Sequence, residues 1–159
     1  MQFISQDDLT FNINNKALKY CTKVSNTNLE VIKFAGINSN ILRKVIQYCE
    51  IHQDDVSIPQ ISRPFKSNLI YDIVNFKDAN FITSIDFQEI SQIIQAAELL
   101  GIDTLVDLSC VYIALKIRGK SSEKIKLLFK ANKPQTDEED QRQRDIDDSA
   151  KGQRIQIFD

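Results

Sequence analysis

The chain has 159 residues, 42% of them apolar, enough for one compact domain with an appendage. Its 20 basic and 22 acidic side chains leave a formal charge of −2, which argues against the basic face of a nucleic-acid binder. No run approaches the ~18 apolar residues of a membrane span, and the first ten residues do not read as a secretory signal.

In chain order, residues 2–6 and 9–13 are expected as two short strands around an Asp7-Asp8 turn. Residues 16–22 suit a short helix, and residues 28–34 a third strand ended by Gly36. Residues 38–50 form a helix, because Ile41, Leu42, Val45, Ile46 and Cys49 recur at helical spacing. Asn38 or Ser39 caps its start. Whether Tyr48 on this helix is surface or core is left open. Pro59 and Pro64 make residues 52–65 a loop, and residues 68–76 read as a short helix or ordered loop.

Three closely spaced helices are expected over 86–129. Asp86 and Glu89 have capping-box spacing, with Phe87, Ile90, Ile93, Ile94 and Ala97 on one face. Gly101 ends that helix, and Asp103 is placed to cap the next. The second helix carries Leu105, Leu108, Tyr112, Leu115 and Ile117, with Val111 and Ile113 off that stripe, so it is apolar on more than one side. Gly119 ends it, and Ser121 is expected to cap a third helix bearing Ile125, Leu128 and Phe129. Beyond Pro134 the chain is charged; Thr136 and Glu139 have capping-box spacing, but Ile146 is the one large apolar residue from 137 to 151. Such a tail is solvated, disordered or ordered by a partner.

No catalytic constellation emerges. Asp54-Asp55, the acidic run at 137–140 and Asp145, Asp147 and Asp148 read as surface carboxylates. Cys21, Cys49 and Cys110 read as free thiols of a reducing compartment, Cys49 and Cys110 as small core residues. One histidine, His52, leaves little room for a metal site, and the isolated glycines make no phosphate loop; neither metal nor cofactor is expected. The constructive signal is Ile113, Ile117, Ile125, Leu128 and Phe129, either side of Gly119. They either close the domain core or form an apolar surface that another polypeptide completes.

The stretches AGINSNILRKVIQYCEIHQDD at 35–55 and IIQAAELLGIDTLVDLSCVYIALKIRGKSSEKIKLLF at 93–129, with TDEED at 136–140, resemble the F-box-binding adaptor subunit of SCF-type cullin–RING ubiquitin ligases. The resemblance implies an α+β BTB/POZ fold, with a small three-stranded sheet on a helical cluster and a C-terminal helical extension. Its domains would be 1–118 and 119–159, the second holding the F-box-binding helices and tail. Elongin C shares that fold but stops before the last two helices, so the segment beyond Gly119 favours the F-box adaptor branch.

By the same resemblance the protein is not an enzyme, acts in the cytoplasm or nucleus, and bridges an F-box protein to a cullin. F-box contact is expected at Ile113, Ile117, Lys120, Ile125, Leu128 and Phe129, with Lys124 and Lys126 on the rim; cullin contact is expected at Glu98, Leu99 and Tyr48. The chain departs from the family pattern where Glu98-Leu99 stands for the usual Asn-Tyr pair and Gly101 for an aspartate. It also has no tryptophan for the acidic clamp of the last helix. Two alternatives follow: F-box binding without cullin binding, and a self-associating scaffold, homodimeric when unpartnered.

Overall fold

The computed structural model describes residues 1–130 except 28, 58, 59, 62 and 66. The expected tail helix, the acidic run at 136–140 and the apolar residues near 155–158 lie outside the described residues, as does Pro59. The chain divides into two compact units after Ser121, and each is taken by itself.

In the first unit, β1 (Gln2–Ile4) runs antiparallel to β2 (Thr10–Asn12) and parallel to β3 (Val31–Lys33), so β1 is the central strand. All three strands are shorter than the sequence suggests; β1 and β2 are cut short because the Ser5 side chain closes the turn between them early. Its hydroxyl donates to the Leu9 carbonyl and accepts from the Leu9 amide. Asp8 takes the left-handed conformation that the tight turn requires, φ 60°. Phe3 projects into the core, edge-on to Phe34 at 5.2 Å.

The helices are α1 (Asn15–Leu18), α2 (Ser39–Ile51), α3 (Phe76–Thr83), α4 (Ile90–Leu100) and α5 (Asp103–Ile117). Asn38 settles the start of α2: its side chain accepts the Ile41 amide at 2.9 Å. The buried face of α2 is the expected stripe plus Tyr48. Helix α1 is one turn, shorter than expected, capped by Asn14 on the Ala17 amide at 2.7 Å. Residues 68–76 contain a 3-10 turn at Ile70–Asp72.

Helix α3 has no counterpart in the sequence reading. Asn75 caps it, accepting the Asp78 amide at 2.8 Å, and Ala79, Phe81 and Ile82 pin it to the core. Before α4, Phe87–Glu89 forms a 3-10 turn with Asp86 accepting the Gln88 amide, so the expected helix over 87–100 is a composite. Gly101 ends α4 in the left-handed conformation, φ 75°. Asp103 is not the cap of α5; it is the first helical residue, after Ile102, where its charge still favours the positive end of the helix dipole. One core joins sheet and helices, with α4 packed on both α2 and α5.

The second unit is described as α6 (Ser122–Lys130), which starts one residue after Ser121.

Candidate protein-interaction surfaces

Helix α5 explains why its sequence is apolar all round. Leu105, Leu108, Ser109, Val111 and Tyr112 are buried. Roughly opposite runs a second stripe, Val106, Cys110, Ile113 and Ile117, spaced four, three and four residues apart. Val106, Ile113 and Ile117 are half-buried and Cys110 is exposed. Cys110 is therefore not the core residue expected from sequence; the helical repeat carries it to the outward stripe. Val106 and Cys110 extend the expected pair Ile113 and Ile117, and a helical projection of the sequence already lines up all four. Lys120 is exposed just beyond Gly119, which takes φ 72°.

On α6, Ile125, Leu128 and Phe129 share one face at the i, i+3, i+4 spacing. Leu127, absent from the sequence-based set, is the more exposed apolar side chain at 69%, against 41% for Phe129.

The end of α4 presents Glu98 and Leu99 outward, Leu99 with 52% of its surface exposed. Leu99 lies on the rim of a groove of about 380 Å³, whose other walls include Gln6, Asn38, Gln92 and Gln95. Asp7 accepts the Ser39 amide at 2.8 Å and so ties the β1–β2 turn to the start of α2 beside this groove. That contact holds the Asp7 carboxyl below its usual value.

Tyr48 does not belong to this surface. It is 1% exposed, its ring 4.7 Å from His52 and 5.3 Å from Phe81. Burial pushes its phenol above the ordinary tyrosine value. The reason is helical phase: Tyr48 follows Ile41 by seven residues and falls on the same buried face.

The other candidates resolve as follows. Asp54 is a surface carboxylate, paired with Lys16 at 2.8 Å. Asp55 is half-buried and engaged by His52 and Lys77. Cys21 and Cys49 are free, buried thiols with sulfurs 4.0 Å apart.

Comparison with known proteins places the chain in a family. The profile of the Skp1 family, dimerisation domain, matches residues 103–146, the segment that begins at α5. The chain is 32% identical over 111 residues to Suppressor of kinetochore protein 1 of Schizosaccharomyces pombe, covering 69% of this chain and 68% of that protein. The chain belongs to the Skp1 family. Its α+β architecture is the BTB/POZ-like fold of that family.

Further similarity runs to the S-phase kinase-associated protein 1 homolog of Tetrahymena thermophila, 32% over 109 residues, covering 69% of this chain and 65% of that protein. The E3 ubiquitin ligase complex SCF subunit sconC of Arthroderma benhamiae is 33% identical over 111 residues, covering 70% of this chain and 66% of that protein. The chain thus spans about two thirds of the length of these relatives. Skp1 family proteins are adaptors rather than enzymes. No helix among the described residues is long and apolar enough to cross a membrane.

Proposed function

We propose that this protein is a non-catalytic adaptor of an SCF-type ubiquitin ligase, acting in the cytoplasm or nucleus and joining an F-box protein to a cullin. The observation that carries the reading is the second apolar stripe of α5, exposed at Cys110, half-buried at Ile117 and in part packed on the core at Val106 and Ile113, which lies within the segment matched by the family profile. Supporting it, the sconC relative is named as an SCF subunit. In this reading the F-box protein covers Ile113 and Ile117, with Val106 and Cys110, on the first unit. It also covers Ile125, Leu128 and Phe129 on the second. Apolar burial supplies most of the affinity, at roughly 25 cal/mol per Å² removed from water, and Lys120, Lys124 and Lys126 orient the partner at the rim. The cullin meets Glu98 and Leu99 and the groove beside them. The adaptor's action is geometric: it fixes the distance between substrate receptor and scaffold, and bonds are made and broken elsewhere.

Calorimetric titration of the full chain with an F-box protein tests this. Saturable binding that weakens in Ile113→Ala and Ile117→Ala is expected. A folded chain that binds no F-box protein, or one that light scattering shows to be a homodimer undisturbed by it, overturns the reading.

A second reading keeps the F-box protein and drops the cullin. It is favoured by the charge of Glu98 and the missing aromatic at Leu99, both exposed at the end of α4. A carboxylate buried there without a partner is costly. Titrating the F-box complex with a cullin N-terminal fragment separates the two, because tight binding rules this second reading out.

A further inference from the structure

Away from these surfaces lies a buried charge cluster around His52, the single histidine of the chain. His52 follows the last residue of α2 and is wholly buried. Its Nδ1 is 2.6 Å from Asp55 Oδ2, and its Nε2 is 2.7 Å from Asp78 Oδ1. Each carboxylate has a further donor on its other oxygen. Lys77 Nζ reaches Asp55 Oδ1 at 3.1 Å, and Asn75 Nδ2 reaches Asp78 Oδ2 at 2.7 Å. A neutral imidazole has one N–H and one bare lone pair, so one of its two short contacts would set a lone pair against a carboxylate oxygen. Two acceptors at both ring nitrogens call for two ring protons.

Other polar and charged groups approach from each element packed around the ring. From the turn after α1, Tyr20 donates its hydroxyl to the His52 carbonyl at 2.9 Å, and Lys19 Nζ reaches the carbonyls of Gln53 and Asp55, each at 3.0 Å. From α2, the Tyr48 ring packs against the imidazole at a tilt, centroids 4.7 Å apart. Asp54 is turned away onto Lys16. From α3 come Lys77 and Asp78. Burial alone depresses His52, but the hydrogen bonds to Asp78 and Asp55, with their charges, outweigh it and leave the imidazole above its ordinary value. Asp55 is held below the usual carboxylate value, first by His52 and then by Lys77.

The two arms differ in burial. Asp78 is 3% exposed and fixed in α3, whereas Asp55 is half-buried on an irregular turn. Asp55, Val56 and Ser57 form one wall of a second groove of about 340 Å³, whose other walls include Lys19, Tyr20, Asp103 and Thr104.

We propose that His52 is a proton-dependent latch: as an imidazolium it ties Asp55, and with it this groove wall, to Asp78 of α3, and on losing a proton it loosens the wall, which Lys77 and Lys19 then hold alone. Asp55 is the arm that lets go, because water can solvate it where it lies, while Asp78 keeps the remaining ring N–H.

Nitrogen-15 NMR of the full chain, labelled at histidine and along the backbone, tests this without ambiguity of assignment. Near pH 7 both ring nitrogens are expected in the protonated range. As pH rises, loss of one ring proton is expected to coincide with shifts and faster exchange at the amides of 55–57, while those of α3 hold. Asp55→Asn is expected to lower the histidine midpoint by about one pH unit or more. Asp54→Asn, on the exposed neighbour, leaves it in place. A bare ring nitrogen near pH 7, or a histidine titration that leaves residues 55–57 unmoved, overturns the latch. If Asp55→Asn does not fold, the unmutated chain decides.

Discussion

Replacing Tyr48 with alanine removes a ring wedged between His52 and Phe81 and leaves a hole that α2 and α3 cannot close. Loss of about 3–5 kcal/mol of stability is expected, read as a lower urea midpoint at unchanged slope. Leu99→Ala, half in solvent, is expected to change stability by less than about 0.5 kcal/mol, leaving the midpoint almost in place. That contrast separates a core residue from a surface one by measurement. Gly101 is equally demanding. Beyond its positive φ, an added Cβ would lie 2.5 Å from Thr22 Oγ1 and 2.8 Å from the backbone nitrogen of Lys23. Those neighbours cannot retreat, because Thr22 Oγ1 donates to the Gly101 carbonyl at 2.7 Å and the Lys23 amide reaches the Leu100 carbonyl. Gly101→Ala is therefore expected to cost more than the ordinary ~1 kcal/mol of a left-handed alanine, seen as a fall in Tm.

Among the elements, α5 does two jobs with one sequence. Leu105→Ala on its buried face is expected to cost about 2–5 kcal/mol of stability. Ile117→Ala on the outward stripe is expected to leave Tm nearly unchanged and to weaken F-box binding about tenfold, the loss of ~1.4 kcal/mol at an apolar anchor. A Tm drop as large as that of Leu105→Ala would mean that the stripe is core. The sequence announces α2, α4 and α5 because each is long enough for its apolar period to repeat. It hides α3, which has eight residues and about two turns, too few for periodicity to outweigh the flanking polar residues. The Asn75–Asp78 capping contact was the available signal. Tyr48 misleads for another reason: a tyrosine is compatible with either environment, and the phase of the helix, not the residue type, decides. His52 looks from sequence like the start of a loop, because its partners Asp55 and Asp78 are brought together by folding and not by spacing.

At the scale of the whole molecule, pH bears on the fold from two sides. The folded chain holds Asp55 below its unfolded value, so its contribution is present above about pH 4 and is lost as pH falls through the lower, folded value. His52 has the opposite sign. Raised in the folded chain, it contributes fully below about pH 6.5 and loses that contribution as pH rises through the folded value. A plot of urea midpoint against pH is expected to bend downward at both ends, and His52→Gln is expected to flatten the alkaline limb. The individual strands and the longer helices are legible from alternation and helical stripes, whereas their assembly into one sheet on a helical cluster follows from the family resemblance. The short lengths of β1 and β2 are not legible, since Ser5 closes the turn through its side chain.

The tie between Thr22 and Gly101 joins residues 79 positions apart. On a ribosome adding about 5–20 residues per second, the start of the chain waits roughly 4–16 s for that partner to be made. During that interval the greasy sides of the sheet and α2 lack their cover from α4, so the nascent protein is at its most vulnerable to chaperone capture or clumping well before synthesis ends.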